Sequence, residues 1–236
     1  MSHTKKHFIY SEILSLALAA GFMASAWPFG LSPLSPFMLT SLQTNWQQEF
    51  GRDLSLQNRY NQQIKTALRE WDALDPWILK SLLIQESGMQ PKKINHHGYA
   101  GIAQIGHREA RHAGIKRGER LQPDKAIQAC AHILRHKSEN LEQKIFSRYG
   151  TPTGDEYWKF IAASYNAGEG TISKAARLAY GKNKPRKIMF NDLITSPTGS
   201  WQDTPLAKAL PRWWHKKAKL KEISEFAINI VNRARQ

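Results

Sequence analysis

The sequence predicts a mostly α-helical protein. Apolar residues recur every third or fourth position in several segments, those segments are bounded by capping and glycine signals, and no run alternates as a strand would. Seven or so short to medium helices are expected. At most a small β element is expected, in Gly98–Ile105, where glycine and apolar residues alternate loosely.

The clearest helix lies between Asp75 and Gly88. Asp75 suits the N-cap, Pro76 the first helical position and Gly88 the position just past the end. Leu79, Leu82, Leu83 and Glu86 share one face by spacing. Glu86 is thus placed on the buried side, at the negative end of the helix dipole. Both circumstances raise a carboxyl pKa and suit a general acid. A solvated last-turn glutamate is the other reading that the helix alone allows.

Before it, residues 43–70 turn helical and polar. Asp53 caps a stripe of Leu56, Tyr60, Ile64, Leu68 and Trp71, either a first packing helix or a stalk. After it, Gly106–Gly114 reads as a short helix with Ala110 and Ala113 inward. Pro123-Asp124 open a longer one carrying Ile127, Cys130, Ala131, Leu134 and Leu141. Asp155 reads as the cap of a helix with Trp158, Ile161, Ala162 and Tyr165 on one side. Thr171 starts another with Ile172, Ala175, Ala176 and Ala179, stopped by Gly181. Asn183–Pro211 reads as irregular. A last helix from about Lys219 carries Ile223, Phe226, Ala227, Ile230 and Val231.

The N-terminus has the order of an export signal. His3, Lys5, Lys6 and His7 precede the apolar run Ile13–Met23, and Ala24-Ser25-Ala26 follows. Residues 1–26 are read as a signal peptide or retained membrane anchor and the Pro- and Ser-rich residues 27–42 as a linker, so the rest of the chain is expected outside the cytoplasm. Lys and Arg number 34 against 19 Asp and Glu, a formal +15, which favours an anionic polymer or membrane as partner. Nucleic acid is not expected, because no helix concentrates basic residues in a docking pattern. The single cysteine, Cys130, excludes an internal disulfide and reads as a small buried apolar residue. His132 and His136 have a zinc-compatible spacing without an H-E-x-x-H pattern, so they read as a surface or half-buried pair. Arg212–Lys217 mixes tryptophans with cations, either as a ligand surface or as packing of its segment on the core.

Two glycine-flanked polar clusters remain: Glu86-Ser87 with Gly98-Tyr-Ala-Gly101-Ile-Ala-Gln104-Ile105, and Ala163-Ser-Tyr165-Asn166-Ala167-Gly168-Glu169-Gly170. Each alone reads equally as a helix end with turn residues. In this order they resemble the soluble-type lytic transglycosylases (glycoside hydrolase family 23), which share the goose-type lysozyme fold. The family pattern is E-S, then G-x-x-G-[LM]-M-Q-[ILV], then [AS]-Y-N-A-G-x-G. The resemblance covers roughly Trp71 to Gly181, with a weaker echo of an E-T-x-x-Y motif at Glu222–Phe226. Ala103 stands where Met is usual, Ile102 where Leu or Met is usual, and Phe226 where Tyr is usual. The interval before Glu222 is long for the family, so residues 71–236 are read as a catalytic domain with an insertion at about 182–215.

The resemblance implies cleavage of the β-1,4 bond between N-acetylmuramic acid and N-acetylglucosamine in peptidoglycan, with 1,6-anhydro-muramoyl ends. It implies Glu86 as the single acid and base, with no metal and no cofactor. Ser87, Gly98, Gly101, Gln104, Tyr165, Asn166, Ala167 and Gly168 are the implied substrate-binding residues. The expected partner is the peptidoglycan glycan strand. The expected location is the periplasm, free or anchored in the inner membrane, and a monomer is expected. A hydrolytic goose-type lysozyme and a non-catalytic wall-binding module of a secretion or conjugation apparatus remain alternatives.

Overall fold

The computed structural model describes residues 58–236 apart from Lys184 and Arg186. The expected signal or anchor, the linker and the Asp53 cap lie outside the described residues. Within them the chain is mostly helical, as the periodicity predicts, and no helix is long and apolar enough to cross a membrane. The only β pairing among the described residues is two isolated bridges, Ile94 with Ala100 and Ala100 with Ile105.

The described residues open with α1 (Asn61–Ala67), prolonged by a 3-10 turn at Leu68–Glu70. Helix α2 (Pro76–Ser87) follows, with the expected caps: the Asp75 carboxylate accepts the Trp77 N–H at 2.9 Å, and Gly88 ends the helix at φ 65°. Ile78, Leu79, Leu82 and Leu83 are all buried. The short helix α3 (His107–His112) and a 3-10 turn (Arg117–Leu121) lead to α4 (Pro123–Leu141), whose apolar stripe packs as expected. A π-helical turn, Glu142–Phe146, widens the end of α4 and buries Ile145 and Phe146 before Gly150 turns the chain at φ 99°. Helix α5 (Asp155–Ala167) begins one residue after Gly154, so Asp155 lies inside the first turn rather than capping it. Helix α6 (Glu169–Tyr180) starts two residues earlier than Thr171, because Gly168 (φ 81°) both ends α5 and starts α6.

The segment after Gly181 departs most from the expectation of an irregular chain. It forms α7 (Asn191–Ile194), a 3-10 turn (Trp201–Asp203) and α8 (Pro205–Ala209). These pieces are too short for periodicity to reveal, yet they bury Ile188, Phe190, Leu193, Leu206 and Leu210. The Glu156 carboxylate accepts the Phe190 N–H at 2.7 Å, and the Phe190 ring meets Phe160 edge-on at 5.8 Å. The segment is therefore part of the core. Trp213 stays 82% exposed, while Trp214 packs against the core, so the two tryptophans divide between the two readings.

Helix α9 (Lys216–Arg235) closes the fold by packing on α5 and α2. Its end is fastened by charge: Arg235 donates to Asp155 Oδ1 and Asp75 Oδ2, both at 2.7 Å, at the starts of α5 and α2. Arg233 donates to Gln85 Oε1 at 3.1 Å, one residue before Glu86. The last helix of the chain thus braces the helix that carries the candidate acid.

Phe190→Ala is expected to lower stability by about 3–5 kcal/mol, the usual result of removing a buried aromatic side chain. Urea unfolding followed by both fluorescence and circular dichroism should give one shared transition at lower urea. A separate early transition would mean that the segment is not part of the core.

Candidate active site

Glu86 occupies the last turn of α2, where the C-terminal carbonyls make the local potential negative. Burial raises its carboxyl pKa to about 8. The positive charge of Lys93 opposes that shift, the negative charge of Glu222 adds to it, and Lys219 opposes it more weakly. The Lys93 ammonium donates to the Glu86 carbonyl oxygen at 3.0 Å, a cap for the helix end.

The chain behind Glu86 has no regular structure, so each buried backbone group needs a specific partner. Ser87 Oγ donates to Ile102 O at 2.7 Å and accepts the Gln90 N–H at 3.0 Å. Gln104 Nε2 donates to Lys93 O at 3.1 Å and to Gly101 O at 2.9 Å. The Tyr165 hydroxyl, 62 residues beyond Ala103, donates to Ala103 O at 2.8 Å. Arg120 Nη1 donates to Gly98 O at 2.8 Å and Ile105 O at 2.7 Å. Asn95 holds the tip by accepting the N–H groups of His97 and Tyr99 at 2.9 and 3.1 Å.

Gly101 is required twice over. Its φ is +83°, and a Cβ there would overlap the Arg120 carbonyl oxygen. Met89 (φ 64°) and Gln104 (φ 47°) are the non-glycine residues with positive φ among the described residues, and they bracket the loop. Such backbone geometry persists only where surrounding contacts over-determine it. Gly98 (φ 81°) has open space around its missing Cβ, so at that position only the backbone conformation calls for glycine.

Asn166, near the end of α5, faces a different task. Its Nδ2 donates to Glu222 Oε1 at 3.1 Å, while Lys219 Nζ donates to the same oxygen at 2.6 Å. A carboxylate accepts and does not donate, so the amide nitrogen must face Glu222. That leaves Asn166 Oδ1 buried without a partner, an acceptor free for a ligand N–H or O–H. Ala167 is buried, and Gly168 reverses the chain next to Asn166.

The structure thus brings Glu86 and both motif loops together, but gives their side chains unequal work. Ser87, Gln104 and Tyr165 hold the loop backbone, and Asn166 offers an open acceptor. The side chain of Ala103 is fully buried, so the departure from Met falls on a core position. Phe226 is likewise buried in the α9 stripe. Cys130 is buried with its thiol pushed up to about 12, principally by burial, as expected for an unreactive thiol. His136 contacts Asn140 at 2.8 Å, and no group of three metal-ligating side chains occurs among the described residues.

Arg120, Lys93 and Asn95 escaped the sequence reading because their tasks are contacts to backbone carbonyls and amides, for which they carry no motif. Glu222 was visible only as part of the weak E-T-x-x-Y echo. A second carboxylate, Glu222, acts on Glu86 electrostatically, and Lys219 and Asn166 both hold it.

Residues 64–188 match the family model of the transglycosylase SLT domain. The chain belongs to the SLT transglycosylase family. No curated protein matches it. As an SLT domain it carries a lytic-transglycosylase-type function directed at peptidoglycan. The match ends near Ile188, so Asn166 of the matched SLT domain is oriented by Glu222 from outside it.

A raised carboxyl pKa makes stability depend on pH. Between about 4.5 and 8 the unfolded chain has released the Glu86 proton while the folded chain keeps it, so stability falls as pH rises through that window. Glu86→Gln removes this contribution. Thermal or urea unfolding should show the variant gaining on the wild type from pH 5 to pH 8, by on the order of a few kcal/mol. A pH-independent difference would contradict the raised pKa.

Proposed function

We propose that this SLT domain is a peptidoglycan lytic transglycosylase in which Glu86 performs both proton transfers. What carries the reading is Glu86 at the end of α2, a carboxyl that burial pushes up to about 8, together with the unpartnered Asn166 acceptor. The protonated Glu86 gives its proton to the glycosidic oxygen as the C1–O bond of the muramoyl sugar breaks. The resulting carboxylate then takes the proton from the C6 hydroxyl. O6 closes onto C1, Glu86 is again protonated, and no water is consumed. Asn166 Oδ1 accepts from the sugar, with an acetamido N–H as the fitting donor. Ser87, Gly98, Gly101, Gln104, Tyr165, Ala167 and Gly168 act by shaping the loop walls on which the sugars lie.

The bond chosen is that between N-acetylmuramic acid and N-acetylglucosamine. The formal +15 suits an anionic wall polymer, and the apolar N-terminal run suits export to the periplasm with or without anchoring. We read residues 71–236 as the catalytic domain.

One observation favours a second reading. Hydrolases on such bonds use two carboxylates, one of which activates water. Glu222 is near enough to raise the Glu86 pKa, although its contacts to Lys219 and Asn166 tie it to positioning.

Digestion of purified sacculi, with the new ends identified by mass spectrometry, separates the readings. Anhydro-muramoyl ends are expected, and Glu86→Gln should lower the rate by about a thousandfold, within the usual range for a general acid–base group. Hydrated reducing ends would make the protein a lysozyme. Unchanged activity in the variant would remove Glu86 from the chemistry.

A further inference from the structure

The turn that leads into α9 carries a side chain with no task in the fold. The Trp214 N–H donates to Pro211 O at 3.3 Å, which closes a turn with Arg212 and Trp213 at its two corners. His215 then precedes α9 and accepts the Lys219 N–H at 2.9 Å. Trp213 is the most exposed large apolar residue among the described residues. Its indole makes no ring contact and no hydrogen bond among them. Tryptophan is highly buried on average, so an indole left this open is informative.

The neighbours of Trp213 tie the turn to the acid's site. Trp214 packs on the core, and Lys219 Nζ lies 5.2 Å from the centre of its ring. The same ammonium donates to Glu222 Oε1 at 2.6 Å, and that oxygen also accepts from Asn166 Nδ2 at 3.1 Å. Three contacts, Trp214 to Lys219 to Glu222 to Asn166, therefore join the turn to the residue with the open acceptor. The charges of Lys219 and Glu222 both reach Glu86. The family match ends at Ile188, so the turn is supplied from outside the matched domain.

We propose that Trp213 is an accessory platform on which a sugar ring of the glycan strand stacks, away from the bond being cut. In a β-1,4-linked strand of N-acetylated hexoses the ring substituents are equatorial, so C–H hydrogens cover each face. The face of an indole is wide and negative, and it meets such a sugar face by dispersion and by attraction to those hydrogens. Arg212 and Lys217 are exposed, and neither they nor Lys216 form an ion pair among the described residues. Positive charge around the ring favours a strand that carries carboxylates. A membrane surface is the competing partner for a tryptophan among cations. It is disfavoured because no other large apolar residue of the turn or of α9 is exposed, whereas membrane binding needs a continuous apolar face. Naming the wall strand rests on the peptidoglycan reading above; the affinity of the ring for a β-1,4-linked sugar does not.

Binding made away from the reacting atoms is the same before and in the transition state, so it lowers KM and leaves kcat alone. The test uses the full chain with glycan strands of graded length. Trp213→Ala, at an exposed position that should leave the melting temperature unchanged, is expected to raise KM for long strands about three- to tenfold with kcat unchanged. The loss should shrink as the strands are shortened to a few sugars. Trp213→Phe should recover most of the loss and Trp213→Leu little of it, since only the first restores a ring face. An unchanged KM, a loss borne by kcat, a loss independent of strand length, or equal recovery by the two replacements would overturn the platform.

The platform and the enzymatic reading fail separately. The full chain carrying Glu86→Gln, which suppresses turnover, is titrated calorimetrically with a soluble β-1,4-linked N-acetylglucosamine oligomer, and adding Trp213→Ala should weaken binding by a similar factor. Absence of any cleavage by the wild type would refute the enzymatic reading, while this titration would still decide the platform. Vesicles of anionic phospholipid are the second probe. Vesicle binding that Trp213→Ala abolishes, with KM for long strands unaltered, would assign the ring to a membrane and overturn the proposal.

Discussion

The site depends on how one irregular stretch of backbone is satisfied. Residues 93–105 form neither helix nor sheet, yet residues 100–105 among them are buried. Four side chains from separate parts of the chain answer carbonyls of this stretch: Ser87 to Ile102, Gln104 to Lys93 and Gly101, Tyr165 to Ala103, and Arg120 to Gly98 and Ile105. Lys93 O, Gly101 O and Ile105 O also accept backbone N–H groups, whereas Ile102 O and Ala103 O depend on Ser87 and Tyr165, and losing such a donor costs about 1–3 kcal/mol per buried group. The loop is thereby fixed against α2 and α5. The SLT motifs are, on this view, mainly a clamp on backbone; the polar side chain among them with an open acceptor is Asn166.

That rigidity lets an unfavourable carboxyl persist. Glu86 sits at a helix C-terminus and is partly buried, both against ionisation, while Lys93 and Lys219 moderate the effect. The fold gives up stability at neutral pH to keep the proton on, a conflict of the kind that local rules show at functional sites. The bracing of α2 by Arg233 and Arg235 acts against it at the neighbouring Gln85 and at the helix start. Glu222 connects the halves of the site, since it holds Asn166 and adds its charge to the surroundings of Glu86.

Much of this was legible in the sequence, for identifiable reasons. Helices α2 and α4 carried caps and a stripe, and the structure buries those stripes. The α9 stripe was equally plain, although the helix starts at Lys216, three residues before the position expected. Gly101 and Gly168 stood in patterns that demanded glycine, and each has positive φ. What failed to show was long-range. Asp155 looked like a cap because its partner, Arg235, lies eighty residues away. Asn183–Pro211 looked irregular because helices of four or five residues carry no period, and their burial depends on Phe160 and α6. That Ala103 is core-facing did not show either, because spacing alone does not tell which way a loop position faces.

The central claim is that Glu86 holds its proton at neutral pH in the free protein. Selective carbon-13 labelling of glutamate carboxyls, with Glu86→Gln to assign the resonance, reads that proton directly across pH. A midpoint near 8 is expected. A midpoint near 4.5, the ordinary value for a glutamate, would contradict the account of this residue as the acid that starts the reaction.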